Sequence, residues 1–184
     1  LVFRSRSMFL DMQSEKAPEF KKDTVYRLKN STHIDWKRFT TLLASRIISD
    51  TIKPLTSENR RNAFIVDDSI YERKGSKKEL LAKVYAHPGH RYTRGFRMLT
   101  LGWSDGVTFL PVNFCLLSSE NENSRINEGW DVDSNSNGAK ARKFATKKAT
   151  EVIPELISDA MESGIHANYV LFDSWFSSPK VIRS

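Results

Sequence analysis

Two strand-like runs separated by a tight turn constrain the fold of this chain more than any other feature. The runs are FRMLTLGW at residues 96–103 and VTFLPVNFCLL at residues 107–117, and Asp105-Gly106 lies between them. An Asp-Gly pair between apolar runs is a strong signal for a β-hairpin. Pro111 lacks a backbone donor, so we expect the second strand to lie at a sheet edge or to be bulged there.

Segments on either side of this hairpin complete an α/β pattern. The run AFIVDDSIY at residues 63–71 is rich in β-branched and aromatic residues and predicts a buried strand. Apolar residues at helical spacing follow in residues 144–160, where Pro154 predicts a kink or a division. The run YVLF then predicts a further strand, and a helix begins within residues 177–184. The order β-β-β-α-β predicts a sheet with three antiparallel strands and a parallel crossover.

The residues before this pattern are helical in character. We predict helices near residues 23–29 and 35–50, the second capped by Thr32 or Asp35. The apolar stripe of the second helix has three- and four-residue spacing and consists of Trp36, Phe39, Leu43 and Ile47. The polar segment KPLTSENRR then acts as a linker.

Charge divides the chain in a similar place. The formal net charge is +7, and residues 1–61 hold 13 Lys and Arg against 7 Asp and Glu, whereas residues 119–184 hold 8 against 10. We therefore predict a helical N-terminal region at 1–61, a candidate for DNA contact, followed by a second domain at 62–184. A solvated basic surface is the alternative interpretation of the same charge.

Cysteine usage and hydropathy indicate the compartment. The single cysteine, Cys115, lies within an apolar run and has no partner for an internal disulfide, so we interpret it as a small buried hydrophobe in a reducing environment. No apolar run reaches the length of a membrane span, and the first ten residues do not resemble a secretory signal. We expect a cytoplasmic protein that does not use a membrane.

Two aspartates share a sequence context that suggests metal chemistry. Asp68 follows AFIVD and Asp173 follows YVLFD, and each precedes a serine. If the two strands are neighbours, both carboxylates project from one sheet, where a buried charge is costly unless it is paired or bound to metal. Carboxylate oxygens suit Mg²⁺ or Mn²⁺, and two such ions can clamp an in-line phosphoryl displacement. Turn formation or helix capping by these aspartates is the alternative.

Longer stretches carry a resemblance to a known family. The segments VDDSIYERKGSKKELLAKVYAH, RGFRMLTLGWSDGVTFLPVNFCLLSS and ANYVLFDSWFS closely resemble transposases of the IS-four insertion-sequence family, over nearly the whole chain. The resemblance implies a ribonuclease H-like catalytic domain with an Asp, Asp, Glu triad. It also implies metal-dependent cleavage and strand transfer of DNA ends, with double-stranded DNA of the insertion-element ends and target as partners and a dimer in the synaptic complex.

The same resemblance assigns residues. The family's first pattern, an apolar strand, Asp and then Ser or Thr, falls on Asp68, and its second falls on Asp173 with Phe176. Asp67 competes for the first role, but the two-residue strand period puts Asp67 and Asp68 on opposite faces, and Ser69 directly follows Asp68. The family's third carboxylate lies on a later helix, so we expect this chain to be an incomplete ribonuclease H-like domain, truncated before that Glu and inactive alone.

Basic and aromatic side chains are further candidates. We expect four cations of the second domain to hold DNA phosphates: Lys77, Lys78, Arg94 and Arg97. His87 and His90 have metal-like spacing, although a turn at Pro88-Gly89 is the simpler interpretation. Trp175 and Phe176 either stack on an extruded base or belong to the core.

Three other functions remain open from the sequence. The chain is alternatively a non-catalytic DNA-binding remnant of a transposon, or a metal-dependent nuclease that hydrolyses DNA without strand transfer. The last alternative is a structural or protein-interaction domain, which predicts no DNA affinity at physiological salt.

Overall fold

The structure is a computed structural model of the 184-residue chain, and it describes residues 10, 12–13, 19–57, 59–86 and 89–183. Within residues 19–57, which the structure describes in full, two α-helices precede the first strand: α1 (Lys22–Lys29) and α2 (Trp36–Ile47). As predicted, Asp35 caps α2, because its Oδ1 accepts a hydrogen bond from the Arg38 amide at 2.9 Å. A π-helical turn (Ile48–Ile52) extends α2, and a 3₁₀ turn (Lys53–Leu55) follows it.

One five-stranded sheet forms the centre of the molecule. Its strands are β1 (Ala63–Glu72), β2 (Ala82–Ala86), β3 (Arg91–Ser104), β4 (Phe109–Leu117) and β5 (Tyr169–Phe172). The long strand β3 pairs antiparallel with β1 on one edge and with both β2 and β4 on the other. Strand β5 pairs parallel with the outer edge of β1, so β5 and β4 lie on opposite sides of the sheet.

The hairpin predicted around Asp105-Gly106 is confirmed. Ser104 pairs with Phe109 across a four-residue connection, in which Gly106 has a φ of 89°. The register shifts at Gly102, which pairs with Pro111, so the strand is bulged at the proline as expected. The ring of Phe109 covers Gly102 so closely that a Cβ atom would not fit there.

Strand β2 was not foreseen from the sequence. It is only five residues long, and its burial alternates, with Ala82, Val84 and Ala86 buried and Lys83 exposed. It is stabilised by pairing with the first five residues of β3, with Ala82 opposite Gly95 and Ala86 opposite Arg91. A strand of this kind depends on a partner that only the tertiary fold supplies.

The connection from β4 to β5 contains two helices, α3 (Asn137–Ala145) and α4 (Ala149–Glu162). Of the kink or division predicted at Pro154, the division is wrong, because the break lies at residues 146–148 and α4 runs through Pro154, while the kink stays a prediction. Burial of Val152 and Leu156, both at 0% exposure, offsets the hydrogen bond that the proline removes. The short α5 (Pro179–Arg183) lies within the region predicted to begin a helix.

The main core lies between one face of the sheet and the helices α2 and α4. Residues of β1 and β3 supply the sheet side, including Phe64, Val66, Leu99, Leu101 and Trp103. Because side chains alternate along a strand, these residues share one face. The serine Ser45 ties α2 to the end of α4, since its hydroxyl donates to the Ser163 carbonyl at 2.6 Å.

The buried face of α2 differs from the predicted stripe. Trp36, Phe39 and Leu43 are 38%, 55% and 47% exposed, whereas Thr41 and Ala44 are buried. Small residues allow α2 to approach β4 and α4 closely, which the larger stripe would prevent. The helix therefore shares the core of the sheet, and the proposed boundary at residues 61 and 62 stays a prediction.

The architecture is mixed α/β, with an antiparallel group of strands followed by a helical crossover to a parallel strand. This arrangement is consistent with the ribonuclease H-like fold that the resemblance implies.

Candidate active site

Asp68 lies in the middle of β1 and is held by an arginine from the neighbouring strand. It pairs in register with Leu99, so Arg97 is its diagonal neighbour on the same face of the sheet. Arg97 Nε lies 2.9 Å from Asp68 Oδ2, and the two side chains are 19% and 21% exposed. This half-buried ion pair lies at the border between the helix-covered core and the solvent.

Asp67 occupies the opposite face of β1. It is exposed, whereas its neighbours Val66 and Asp68 are buried and half-buried. The strand period therefore separates the two adjacent carboxylates as the sequence predicts. Extending the parallel register of Val66 with Phe172 by one residue sets Asp67 level with Asp173, so Asp67 remains a competitor for the first role.

Asp173 directly follows β5 and is exposed. Its Oδ1 accepts hydrogen bonds from the Ser174 hydroxyl at 3.0 Å and from the Trp175 amide at 3.3 Å, and so caps a 3₁₀ turn (Ser174–Phe176). The capping interpretation of Asp173 is therefore confirmed. Capping fixes the position of the carboxylate and uses one of its two oxygens.

The topology brings the two predicted catalytic residues onto neighbouring strands. β1 and β5 are parallel, so their carboxyl ends point to the same end of the sheet, and adjacent strands lie about 4.8 Å apart. In α/β sheets, ligands bind outside the carboxyl ends of parallel strands. Within the described ranges, no group of three or more His, Cys, Asp or Glu side chains is arranged to hold a metal ion.

The predicted DNA-binding cations differ in their surroundings. Lys77 and Lys78 are exposed in the loop between β1 and β2, which Asn127 anchors by donating to the Lys78 carbonyl at 2.7 Å. Arg94 is exposed on β3 opposite Lys83 of β2. Arg97 is engaged with Asp68, so it belongs to the candidate active site as well as to the basic surface.

Two lysines near the site were missed by sequence reasoning. Lys147 and Lys148 fall inside the single helix that the apolar spacing predicts, but the break at residues 146–148 places them at the start of α4. The available signal was the adjacent lysine pair itself, just before the buried residues of that helix.

The remaining candidates have structural surroundings. His90 has a φ of 47°, and its Nδ1 lies 3.1 Å from the Tyr85 hydroxyl, while His87 falls outside the described residues. Phe176 is 1% exposed and belongs to the core, whereas Trp175 is 65% exposed. The structure thus separates two aromatic residues that the sequence treats together.

Cys115 is buried, as its sequence context predicts. Burial raises the pKa of its thiol to about 12, so almost no thiolate forms near neutral pH. Across the residues that the structure describes, no helix is long and apolar enough to cross a membrane.

Comparison with known proteins agrees with this topology. No curated protein and no solved structure matches the chain. A family model described as DDE superfamily endonuclease matches residues 5–184, which include both candidate aspartates and every strand of the sheet. Proteins of this description act on DNA as nucleases or transposases and generally use divalent metals, usually Mg²⁺. The chain belongs to the DDE superfamily endonucleases.

Proposed function

We propose that this protein is a transposase of the IS-four type that cleaves insertion-element ends and joins them to target DNA. The observation that carries the proposal is that Asp68 lies on β1 and Asp173 directly follows the neighbouring parallel strand β5, in a chain that matches the DDE endonuclease family from residue 5 to residue 184. Asp173 thus lies at the carboxyl end of its strand, where such folds bind ligands, and Asp68 lies on the adjacent strand close to that level.

The type of ligand atom at this site suits a hard divalent cation. Asp68 and Asp173 offer carboxylate oxygens, which are hard ligands of the kind that Mg²⁺ and Mn²⁺ prefer. Asp173 presents a second oxygen beyond the one used in capping. We assign Mg²⁺ to these residues, with Mn²⁺ as a substitute. When bound, such ions neutralise charge on the scissile phosphate and favour attack on it.

The chain's own residues position the substrate and the carboxylates. Arg97 fixes the orientation of Asp68 through the 2.9 Å ion pair, so the carboxylate is preorganised before DNA arrives. The turn at Ser174 fixes Asp173. Lys77, Lys78 and Arg94 are exposed cations that hold DNA phosphates and set the register of the duplex. In the synaptic complex we expect two copies of the protein to hold the paired DNA ends.

Substitution of single carboxylates in the intact protein tests this proposal. Asp68→Asn and Asp173→Asn should each lower strand cleavage of a labelled insertion-element end in Mg²⁺ by at least about a hundredfold, while DNA binding is retained. Asp67→Asn is the matched control, because it removes an adjacent charge from the other face of β1. Retained cleavage in Asp68→Asn with loss in Asp67→Asn would transfer the first role to Asp67.

The fate of the cleaved end distinguishes transposition from plain hydrolysis. A transposase joins the donor 3′ end to a target plasmid, and the joined product is separated by size on an agarose gel. Cleavage without any joined product would identify a nuclease of the same fold and would contradict strand transfer. Duplex binding with no cleavage in Mg²⁺ or Mn²⁺ would identify a non-catalytic remnant.

A further inference from the structure

An open groove lies beside Asp68 on the helix-covered face of the sheet. It forms where β4 ends and α4 begins, so it shares the sheet end that carries the candidate active site. Three segments supply most of its lining: residues 83–85 of β2, residues 117–120 after β4, and residues 147–149 at the start of α4. Arg97 of β3 also lines it.

The groove carries an excess of positive charge. Its lining includes four cations, Lys83, Arg97, Lys147 and Lys148, and one carboxylate, Glu120. Lys148 pairs with Glu120 at 3.3 Å, and both side chains are more than half exposed. Lys147 pairs with Glu155 at 2.6 Å, and these two side chains are 40% and 46% exposed. Exposed ion pairs of this kind are weak, so a phosphate can compete for the lysine at little cost.

Arg97 connects this groove to the candidate active site. Its Nε contacts Asp68, and the same side chain lines the groove. A guanidinium has five N–H donors on three nitrogens, so one arginine can hold a carboxylate and a phosphate together. Any phosphate bound by Arg97 in the groove is therefore next to the carboxylate proposed to act in cleavage.

The wall of the groove is held in place before any ligand binds. Arg125, with only 8% of its side chain exposed, donates to the Ser119 carbonyl at 3.0 Å and pairs with Glu128 at 2.9 Å. The Ser118 hydroxyl donates to the Leu80 carbonyl at 2.6 Å. Contacts with Arg125 and Leu80 thus hold the segment after β4 in place, and the shape of this groove wall is preorganised for binding.

We propose that this groove binds a backbone phosphate of DNA adjacent to the cleaved bond, with Lys147, Lys148 and Arg97 as its ligands. The proposal rests on the proposed function for its choice of DNA as the source of the phosphate. It adds a contact surface beyond Lys77 and Lys78 of the loop, and it makes Arg97 a positioning residue shared by substrate and carboxylate.

Metal-free DNA binding measured against salt tests the groove separately from catalysis. Fluorescence anisotropy of a labelled duplex of about two helical turns, in EDTA, gives the slope of log affinity against log salt concentration. The double substitution Lys147→Gln and Lys148→Gln should reduce that slope by about one to two units. Glu120→Gln removes the competing carboxylate and should raise affinity severalfold, an increase that misfolding does not produce.

The matched control is the double substitution Lys140→Gln and Lys143→Gln. These two lysines are exposed on α3 and lie outside the groove, yet their loss changes the net charge by the same amount. Equal slopes for the two double variants would overturn the groove assignment while leaving the cleavage test of Asp68 and Asp173 intact. No duplex binding by the unmodified protein would contradict both proposals.

Free inorganic phosphate is the alternative to the DNA backbone as the ligand of this groove. Inorganic phosphate should displace little DNA when it replaces chloride at constant ionic strength, because a single anion lacks the neighbouring phosphates that the other cations contact. Full displacement would reassign the groove to a free phosphate and overturn its assignment to the DNA backbone.

Discussion

Carboxylates lie at both ends of the sheet, and the two ends use them differently. Asp105, in the hairpin between β3 and β4, is 3% exposed. Its Oδ1 accepts from the amides of Val107 and Thr108, and its Oδ2 accepts from the Thr56 hydroxyl at 2.6 Å and from Arg60 at 3.3 Å. Further along the sheet, Asp68 and Asp173 are more exposed: Asp68 pairs with Arg97, and Asp173 caps a turn.

The difference separates a structural carboxylate from candidate catalytic ones. The hydrogen bond from Thr56, followed by that from the Thr108 amide, holds the pKa of Asp105 well below its usual range. Every acceptor site of Asp105 is directed at a protein donor, so nothing is left for a ligand. Asp173 keeps an oxygen for an external partner, and the partner of Asp68, Arg97, also faces the groove.

Cleavage gives the largest expected contrast between the two ends. Asp105→Asn should retain cleavage within a fewfold per folded molecule, whereas Asp68→Asn should lose at least about a hundredfold. The measurement is single-turnover cleavage of a labelled DNA end in Mg²⁺, normalised to the folded fraction from circular dichroism. Equal losses in the two variants would remove the functional distinction between the ends.

The free energy of unfolding should show the reverse order, with the larger loss in Asp105→Asn and the smaller in Asp68→Asn. Asp105→Asn should lower the free energy of unfolding by about 1–3 kcal/mol, because a buried network loses its charge and two of its four donors lose a good acceptor. Asp68→Asn should cost less than Asp105→Asn, because the side chains of the Asp68–Arg97 pair are 21% and 19% exposed whereas Asp105 is 3% exposed. Urea unfolding followed by circular dichroism measures both. A larger loss for Asp68→Asn would mean that its ion pair is chiefly structural.

Acid should reduce the stability advantage that Asp105 provides. Its pKa is lower in the folded than in the unfolded protein, so its contribution is fully present above the unfolded pKa of about 3.9 and is lost as the pH falls towards the folded pKa. The difference in unfolding free energy between wild type and Asp105→Asn should therefore shrink between about pH 5 and about pH 2. A difference that stayed constant would contradict the lowered pKa.

The smallest effect is expected for the fold at Asp173. Asparagine caps helical turns about as well as aspartate, so Asp173→Asn should change the free energy of unfolding by less than about 0.5 kcal/mol. Asp173→Ala, which removes the cap, should cost about 1 kcal/mol in the same urea experiment. If Asp173→Asn destabilised as much as Asp173→Ala, the carboxylate charge would have a structural role comparable to that of Asp105.

Local signals in the sequence were sufficient for several elements. The Asp105-Gly106 hairpin, the bulge at Pro111 and the Asp35 cap depend on residues within a few positions of one another, so their preferences are legible in the sequence. The pattern of an apolar strand followed by Asp and Ser correctly predicted strands before Asp68 and Asp173, which pair as the parallel neighbours β1 and β5, while the catalytic role of the two aspartates stays a prediction.

Contacts between distant segments could not be predicted from the sequence in the same way. Strand β2 exists because β3 supplies its partner, and the buried face of α2 is set by how closely β4 and α4 approach it rather than by its largest apolar residues. The helix break at residues 146–148, which places Lys147 and Lys148 beside the groove, was likewise not predicted from the sequence.

The sequence by itself determined four of the five strands, the turn chemistry, and which aspartates follow apolar strands, because these depend on neighbouring residues and on side-chain periodicity. Only the tertiary structure decided that Arg97 pairs with Asp68, that four segments meet in a basic groove, and that both oxygens of Asp105 accept hydrogen bonds from the protein. Each of these contacts joins residues brought together by strand pairing and helix packing, and a side chain's preferences do not specify which distant group it will meet.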